Sequence, residues 1–208
     1  VRHQFLSLEQ EGQNRPYKDG TAERHVLVMG GGLGIMPKLE ELLYTLHETP
    51  GVKATVITGK NQKIYETWQG CFNDIEVLGY VDNIGEHMRK ADLVITKAGG
   101  ITLFASLHST APMFIIRPFL EQETVNARYA QGKGFAHVVW DKKEDFTAEL
   151  RKILENGARL EEMKKCMGIA QQEMMDTELS EAVREIAVRG RKMRSCHHTG
   201  AVQKEGQN

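Results

Sequence analysis

Gly30-Gly31-Gly32-Leu33-Gly34 stands directly after a short apolar run and ahead of residues with helical spacing. Glycine admits positive φ and lets a backbone approach a ligand closely, and free amides at a helix N-terminus attract anions. The segment therefore fits a phosphate or diphosphate, or else a tight structural turn. It is not a dinucleotide fingerprint: Gly30-x-Gly32 is followed by Leu33-Gly34-Ile35, and Thr58-Gly59-Lys60 stands where a ribose-binding acid is required. The lack of Gly-Lys-Ser/Thr excludes a Walker A loop.

Lys97-Ala98-Gly99-Gly100-Ile101-Thr102 repeats the same physics, with a strand, two glycines, a hydroxyl residue and a helix in that order. Two helix N-termini aimed at one crevice suit a doubly charged diphosphate better than one would. Thr102 donates to a phosphate oxygen or caps the helix; both readings are open. A third segment, Arg117-Pro118-Phe119-Leu120-Glu121-Gln122-Glu123, is followed by Asn126. Amides and a carboxylate at a strand end suit the vicinal hydroxyls of a sugar. Equally, Glu121 and Glu123 suit the first turn of a helix, where the dipole favours acids.

The elements that must position these segments alternate along the chain. Strands are predicted at His25–Met29, Lys53–Thr58, Ile75–Leu78, Leu93–Thr96, Met113–Arg117 and Ala136–Val139. Between them, Met36, Leu39, Leu42, Leu43 and Leu46 form one helical stripe with Pro37 in its first turn. Tyr65, Trp68 and Phe72 mark a second helix face, and Ile84–Lys90, Ile101–His108 and Thr124–Gln131 read as further helices. Phe146–Glu155, Leu160–Met175 and Leu179–Val188 are helical as well. Six strands joined by helices require right-handed crossovers, hence an α/β fold with a parallel sheet covered on both faces. Ligands of such sheets bind outside the carboxyl ends of the strands, so function is sought after Met29, Leu78, Thr96 and Arg117.

Bulk properties narrow the classes. The 208 residues hold 27 Lys+Arg against 28 Asp+Glu, a formal charge of -1. That balance provides no long-range field for nucleic acid, and no nucleic-acid partner is expected. No apolar run reaches the roughly 20 residues that span a bilayer. Cys71, Cys166 and Cys196 are odd in number and unpatterned, which favours reduced thiols in a cytoplasmic setting. Cys196-His197-His198 lacks a second ligand pair, so no metal site is expected. Residues 1–24 read as a linker, 25–190 as one domain and 191–208 as a polar tail. The start, Val1-Arg2-His3, has neither methionine nor an apolar leader and reads as a fragment boundary.

The three segments, together with Gly59-Lys60-Asn61, Gly79-Tyr80-Val81 and the run Ala91–Thr102, resemble the donor-binding domain of one glycosyltransferase family. That family holds processive diacylglycerol glucosyltransferases, monogalactosyldiacylglycerol synthases and the lipid II-forming N-acetylglucosaminyl transferase. The resemblance implies the C-terminal half of a GT-B fold: a Rossmann-like parallel six-stranded sheet with helices on both faces, binding a UDP-sugar. Carried over, Gly31, Gly32, Gly34, Gly99, Gly100 and Thr102 bind the diphosphate, Tyr80 and Val81 the uracil, and Gln122, Glu123 and Asn126 the sugar. It implies metal-free, inverting transfer to a diacylglycerol-like lipid, without a cofactor. The catalytic base and acceptor groove are expected in an N-terminal domain absent from this chain, so it is expected to be inactive alone. The full enzyme is expected on the inner face of a membrane, peripherally bound. Three departures stand out: Ala105 occupies the place of a ribose-binding glutamate, Thr110-Ala111 displaces a glycine, and Leu120-Glu121 precedes Gln122-Glu123 in place of Pro-Gly. Two other readings stay open: a degenerate or split subunit that needs a partner domain, and a UDP-sugar epimerase using Glu121 and Glu123.

Overall fold

The computed structural model describes residues 23–31, 34, 36–118 and 120–176. The expected linker up to Ala22, the tail, Gly32, the helix at Leu179–Val188 and Cys196-His197-His198 lie outside the described residues. The chain divides into two compact units, Val1–Ile169 and Ala170–Asn208; of the second, the described residues 170–176 are helical.

The first unit alternates strand and helix: β1 (Arg24–Met29), α1 (Leu39–His47), β2 (Val52–Ile57), α2 (Gln62–Trp68), β3 (Ile75–Leu78) and α3 (Ile84–Lys90). It continues through β4 (Leu93–Thr96), α4 (Gly100–His108), β5 (Met113–Ile116), α5 (Glu121–Gly132), β6 (Ala136–Val139) and α6 (Phe146–Glu155). A last helix, α7, covers 157–169 of this unit. The six strands form one sheet in the order β3-β2-β1-β4-β5-β6, and every pairing is parallel.

Strand alternation sends side chains to two separate cores. Val26 and Val28 of β1 face one side with Leu42, Leu43 and Leu46 of α1 and Phe146, Leu150 and Ile153 of α6. Leu27 and Met29 face the other with Met88 of α3 and Ala105 of α4. Helices thus cover both faces. Leu42 and Leu43 are fully buried, and each such side chain contributes about 2 kcal/mol of apolar burial.

Element boundaries differ from expectation at informative places. Pro37 precedes α1 instead of sitting in its first turn, because Lys38 is left-handed (φ 53°) and so cannot belong to the helix. Phe72 lies beyond α2, which ends before Gly70 (φ 72°), yet still packs with Trp68 as a stacked ring pair. Helix α5 begins at Glu121 rather than Thr124, so the third segment is shorter than its sequence suggested. It also runs through Gly132, and Gly134 (φ 81°) stops it. Strand β5 ends at Ile116 because Arg117 turns to φ 48°.

Two histidines tie this fold to pH. Burial pushes His25 and His137 below the ordinary value, against the opposing pull of Asp92 and Glu149 respectively. His25 Nε2 lies 3.0 Å from Thr55 Oγ1, and the His137 ring stacks on Phe114. The fold prefers both rings neutral, whereas the unfolded chain protonates them near the ordinary value of about 6.5. Their contribution is therefore present above that pH and lost as pH falls through it. Denaturant unfolding between pH 8 and 5 is expected to show stability falling on the acid side, with a shallower fall in a His25→Gln/His137→Gln variant.

Candidate functional site

Strand order fixes where a ligand can sit. β1 leaves the sheet toward β2 on one side and β4 leaves toward β5 on the other, while β1 and β4 are themselves neighbours. Chains that diverge from adjacent strands leave a crevice between them at the carboxyl edge. The register places Met29 beside Thr96, so the turns starting at Gly30 and Lys97 emerge side by side. Both glycine segments lie on one edge of the sheet, at its switch point.

The two turns are built differently. In the first, Gly31 (φ 75°) and Gly34 (φ 61°) are joined by a 2.9 Å bond from the Gly34 N–H to the Gly31 carbonyl. A Cβ added at Gly31 would meet nothing within 4 Å, whereas one at Gly34 would fall 1.8 Å from the Thr58 carbonyl oxygen. Gly34 is thus required by the close approach of the β2–α2 loop, and Gly31 borders open space. The expectation that this turn opens straight into a helix is corrected. α1 starts only at Leu39, because Pro37 disfavours helical backbone at Met36 and Lys38 is left-handed.

The second turn does run straight into its helix. Gly99 is the N-cap of α4, with φ -68° and ψ 139° and no side-chain cap. Amides of a first helical turn have no partner within the helix, so the N–H groups following Gly99 and the dipole of α4 meet the crevice. Thr102, half-buried in that first turn, is therefore not the capping residue. A Cβ at Gly99 would lie 3.9 Å from Thr102 Oγ1, and one at Gly100 3.8 Å from Asn126 Nδ2.

Asn126 links the second and third segments. Its Nδ2 donates to the Ala98 carbonyl at 2.8 Å, which anchors α5 against the glycine turn. Gln122 and Glu123 stand in the first turn of α5 behind the N-cap Leu120, Gln122 exposed and Glu123 half-buried. Since β5 pairs with β4, this turn flanks the crevice on the side away from β1. Glu121 and Glu123 are also the two acids of that first turn, where the helix dipole stabilises them.

Tyr80 and Val81 follow β3 at the sheet's edge, two strands from β1. Tyr80 is 54% exposed, and Val81 packs against the cluster of Leu27, Met29, Ile57 and Ala105. Ala105 itself is buried in that cluster. Position 105 therefore faces apolar neighbours, and a glutamate restored there would carry its carboxylate into them.

Three cation-bearing positions stand within the segments quoted from the sequence but were given no role there. Lys60 follows β2 and Lys97 follows β4, so positive charge stands on both sides of the turn after β1. Arg117 follows β5 in the left-handed region, at a cost of about 1 kcal/mol for a residue with a Cβ. Their signal was position alone: a basic residue one to three places after a strand of the central sheet. Among the described residues, no group of three His, Cys, Asp or Glu side chains is placed to hold a metal ion. No helix among them is long and apolar enough to cross a membrane.

A parallel sheet of this order, with glycine turns at its switch point, defines a Rossmann-like α/β domain. Residues 25–186 match the glycosyltransferase family 28 C-terminal domain, and the chain belongs to that family. A processive diacylglycerol beta-glucosyltransferase of Bacillus cytotoxicus is 29% identical over 173 residues, covering 81% of this chain and 44% of the relative. The chain thus spans less than half the length of that relative. Among solved structures, MurG of Acinetobacter baumannii superposes with a TM-score of 0.62 at 21% identity, over 83% of this chain and 54% of its own. The spinosyn rhamnosyltransferase SpnG, solved with thymidine diphosphate, gives 0.57 at 19% identity, over 71% and 41%. These two likenesses establish a shared GT-B type of fold.

Two substitutions separate the roles of the glycines. Gly34→Ala is expected to cost about 3 kcal/mol or more, since its methyl meets a backbone carbonyl and its φ is positive. Gly99→Val is expected to stay within about 1 kcal/mol of the wild type, the cost of a poorer N-cap. Urea unfolding of both variants checks the pair. Ala105→Glu is expected to lower stability by about 3 kcal/mol in the absence of ligand, because a carboxylate enters an apolar cluster.

Proposed function

We propose that this domain binds the UDP-sugar donor of a hexosyltransferase that glycosylates a diacylglycerol-like lipid with inversion. The observation that carries the reading is the adjacency of the two glycine turns, one opening directly into the uncapped start of α4. Backbone amides and a helix dipole can there hold a pyrophosphate and stabilise it as it leaves.

In this reading Gly31, Gly32, Gly99, Gly100 and Thr102 surround the diphosphate, and Gly34 shapes the first turn. Tyr80 and Val81 take the uracil, and Gln122 and Glu123 take sugar hydroxyls. Asn126 acts on them indirectly, through its bond to the Ala98 carbonyl. Lys60 and Lys97 add positive charge beside the pyrophosphate. During transfer the acceptor hydroxyl oxygen bonds to the anomeric carbon, the bond from that carbon to the β-phosphate oxygen breaks, and UDP departs with the electron pair. The hydroxyl proton passes to a base, which we assign with the acceptor groove to an N-terminal domain of the kind that two-domain relatives possess. No residue of this chain is assigned to catalysis, and the domain is proposed to bind donor without turning it over. No cofactor or metal is invoked. Contact of the full enzyme with the cytoplasmic face of a membrane belongs to the same proposal.

Ala105 supports a weaker variant of the reading. Buried in its apolar cluster, it offers no hydrogen bond to a ribose diol, and lacking such bonds costs about 1–3 kcal/mol. A donor-binding subunit of reduced affinity, completed by a separate acceptor domain, accommodates that loss.

Calorimetric titration with UDP, UDP-glucose, UDP-galactose, NAD and ATP is the direct test. A uridine nucleotide is expected to bind at least about tenfold more tightly than NAD or ATP, a difference of about 1.4 kcal/mol. Gly99→Val, folded but with its crevice filled, is expected to lose at least about tenfold in UDP affinity. Tight binding of NAD or ATP with no response to UDP overturns the assignment.

A further inference from the structure

Arg117 is the residue at the carboxyl edge that the donor reading leaves unused. Its backbone is left-handed, with φ 48°. Its N–H donates to the Val139 carbonyl at 2.9 Å, carrying the β5–β6 ladder one residue past the end of β5. Its Nη2 donates to the Lys142 carbonyl at 3.2 Å, in the loop between β6 and α6. Its Nε is buried and has no hydrogen-bond partner among the described residues.

Each of these features has an energetic direction. A left-handed backbone is unfavourable for any residue with a Cβ, and a buried donor without an acceptor forfeits its hydration. Both costs fall on one residue, and glycine would remove both while keeping the ladder bond. Strain of this kind gathers where a position matters more than stability. Arg117 is succeeded by Pro118, whose ring fixes its own φ, and then by the N-cap Leu120 and the first turn of α5. Three residues separate Arg117 from Glu121, the first residue of α5, so a shift at Arg117 is passed on over a short distance to the turn that carries Gln122 and Glu123.

We infer that Arg117 is a positioning residue for sugar recognition: its guanidinium clamps the β5–α5 turn to the β6–α6 loop and so holds Gln122 and Glu123 at the crevice. The inference rests on the donor reading for the identity of the ligand, and on the geometry alone for the clamp. Arg117 does not itself touch the nucleotide. Its loss acts on the hexose more than on the uridine diphosphate portion, which it reaches only through the Asn126–Ala98 bond.

Arg117→Gly in the 208-residue chain removes the guanidinium, and glycine accepts the same φ and retains the bond to Val139. Three measurements decide the matter: thermal unfolding, amide exchange across residues 120–126, and calorimetric affinities for UDP and UDP-glucose. The expected result is an unchanged or higher Tm, faster exchange in 120–126, and an affinity ratio of UDP-glucose to UDP that falls about tenfold. A lower Tm with an unchanged ratio would make Arg117 a structural anchor and overturn the inference. Should the wild-type chain bind neither nucleotide, the donor reading fails and sugar positioning fails with it. Exchange in 120–126 then decides the clamp alone, faster exchange supporting it and unchanged exchange overturning it.

Discussion

Met29 and Thr96 lie side by side in the sheet, and the chain leaves them in opposite directions. This single pairing determines what the carboxyl edge can do. A crossover from β1 to β2 and another from β4 to β5 must part, and the space between them cannot be filled by either connection. Had β1 and β4 been separated by a strand, the two glycine turns would open onto different surroundings. The switch point makes neighbours of two ordinary turns that lie far apart along the chain.

The two cores derive from the same arrangement. α1 and α6 pack on the face of Val26 and Val28, and α3 and α4 on that of Leu27 and Met29. The helix that meets the crevice with its N-terminus, α4, is thereby held from below by two leucines and two small residues. Ala105 and Ser106 are buried, and the Ser106 hydroxyl donates to the Ala111 carbonyl. Leu103 and Leu107 of the same helix are buried beside them, whereas Ile101 is 70% exposed and Phe104 39%. Close packing against the sheet fixes the helix, and with it the direction of its dipole.

Much of the fold was legible because parallel strands buried on both faces are continuous apolar runs, and five of the six here are followed by a glycine or polar residue, β6 being followed by Trp140. All six strands were located to within a residue or two. Helix starts were harder. Lys38 carries no mark of its left-handed φ, and nothing in Leu120-Glu121-Gln122 announces that the helix begins before Thr124. At the candidate site, residue types pointed to loops after three strands, and the parallel sheet places those loops on one edge. The finer assignments depended on packing that spacing does not encode. Gly34 answers to the Thr58 carbonyl, and Ala105 faces a core built from four other elements. In α4 hydrophobicity is only a partial guide, because Leu103 and Leu107 are inside but so are an alanine and a serine, while Ile101 and Phe104 are outside.

The bond from Asn126 to the Ala98 carbonyl has a consequence for how the edge responds to perturbation. A side chain 28 residues downstream braces the backbone just before the Gly99-Gly100 turn, so the starts of α4 and α5 share one mechanical element. Whatever displaces the start of α5 tugs on the start of α4. Contributions from the parts of a bipartite ligand are then not independent, and measuring each fragment alone misstates the whole by the work of moving that amide.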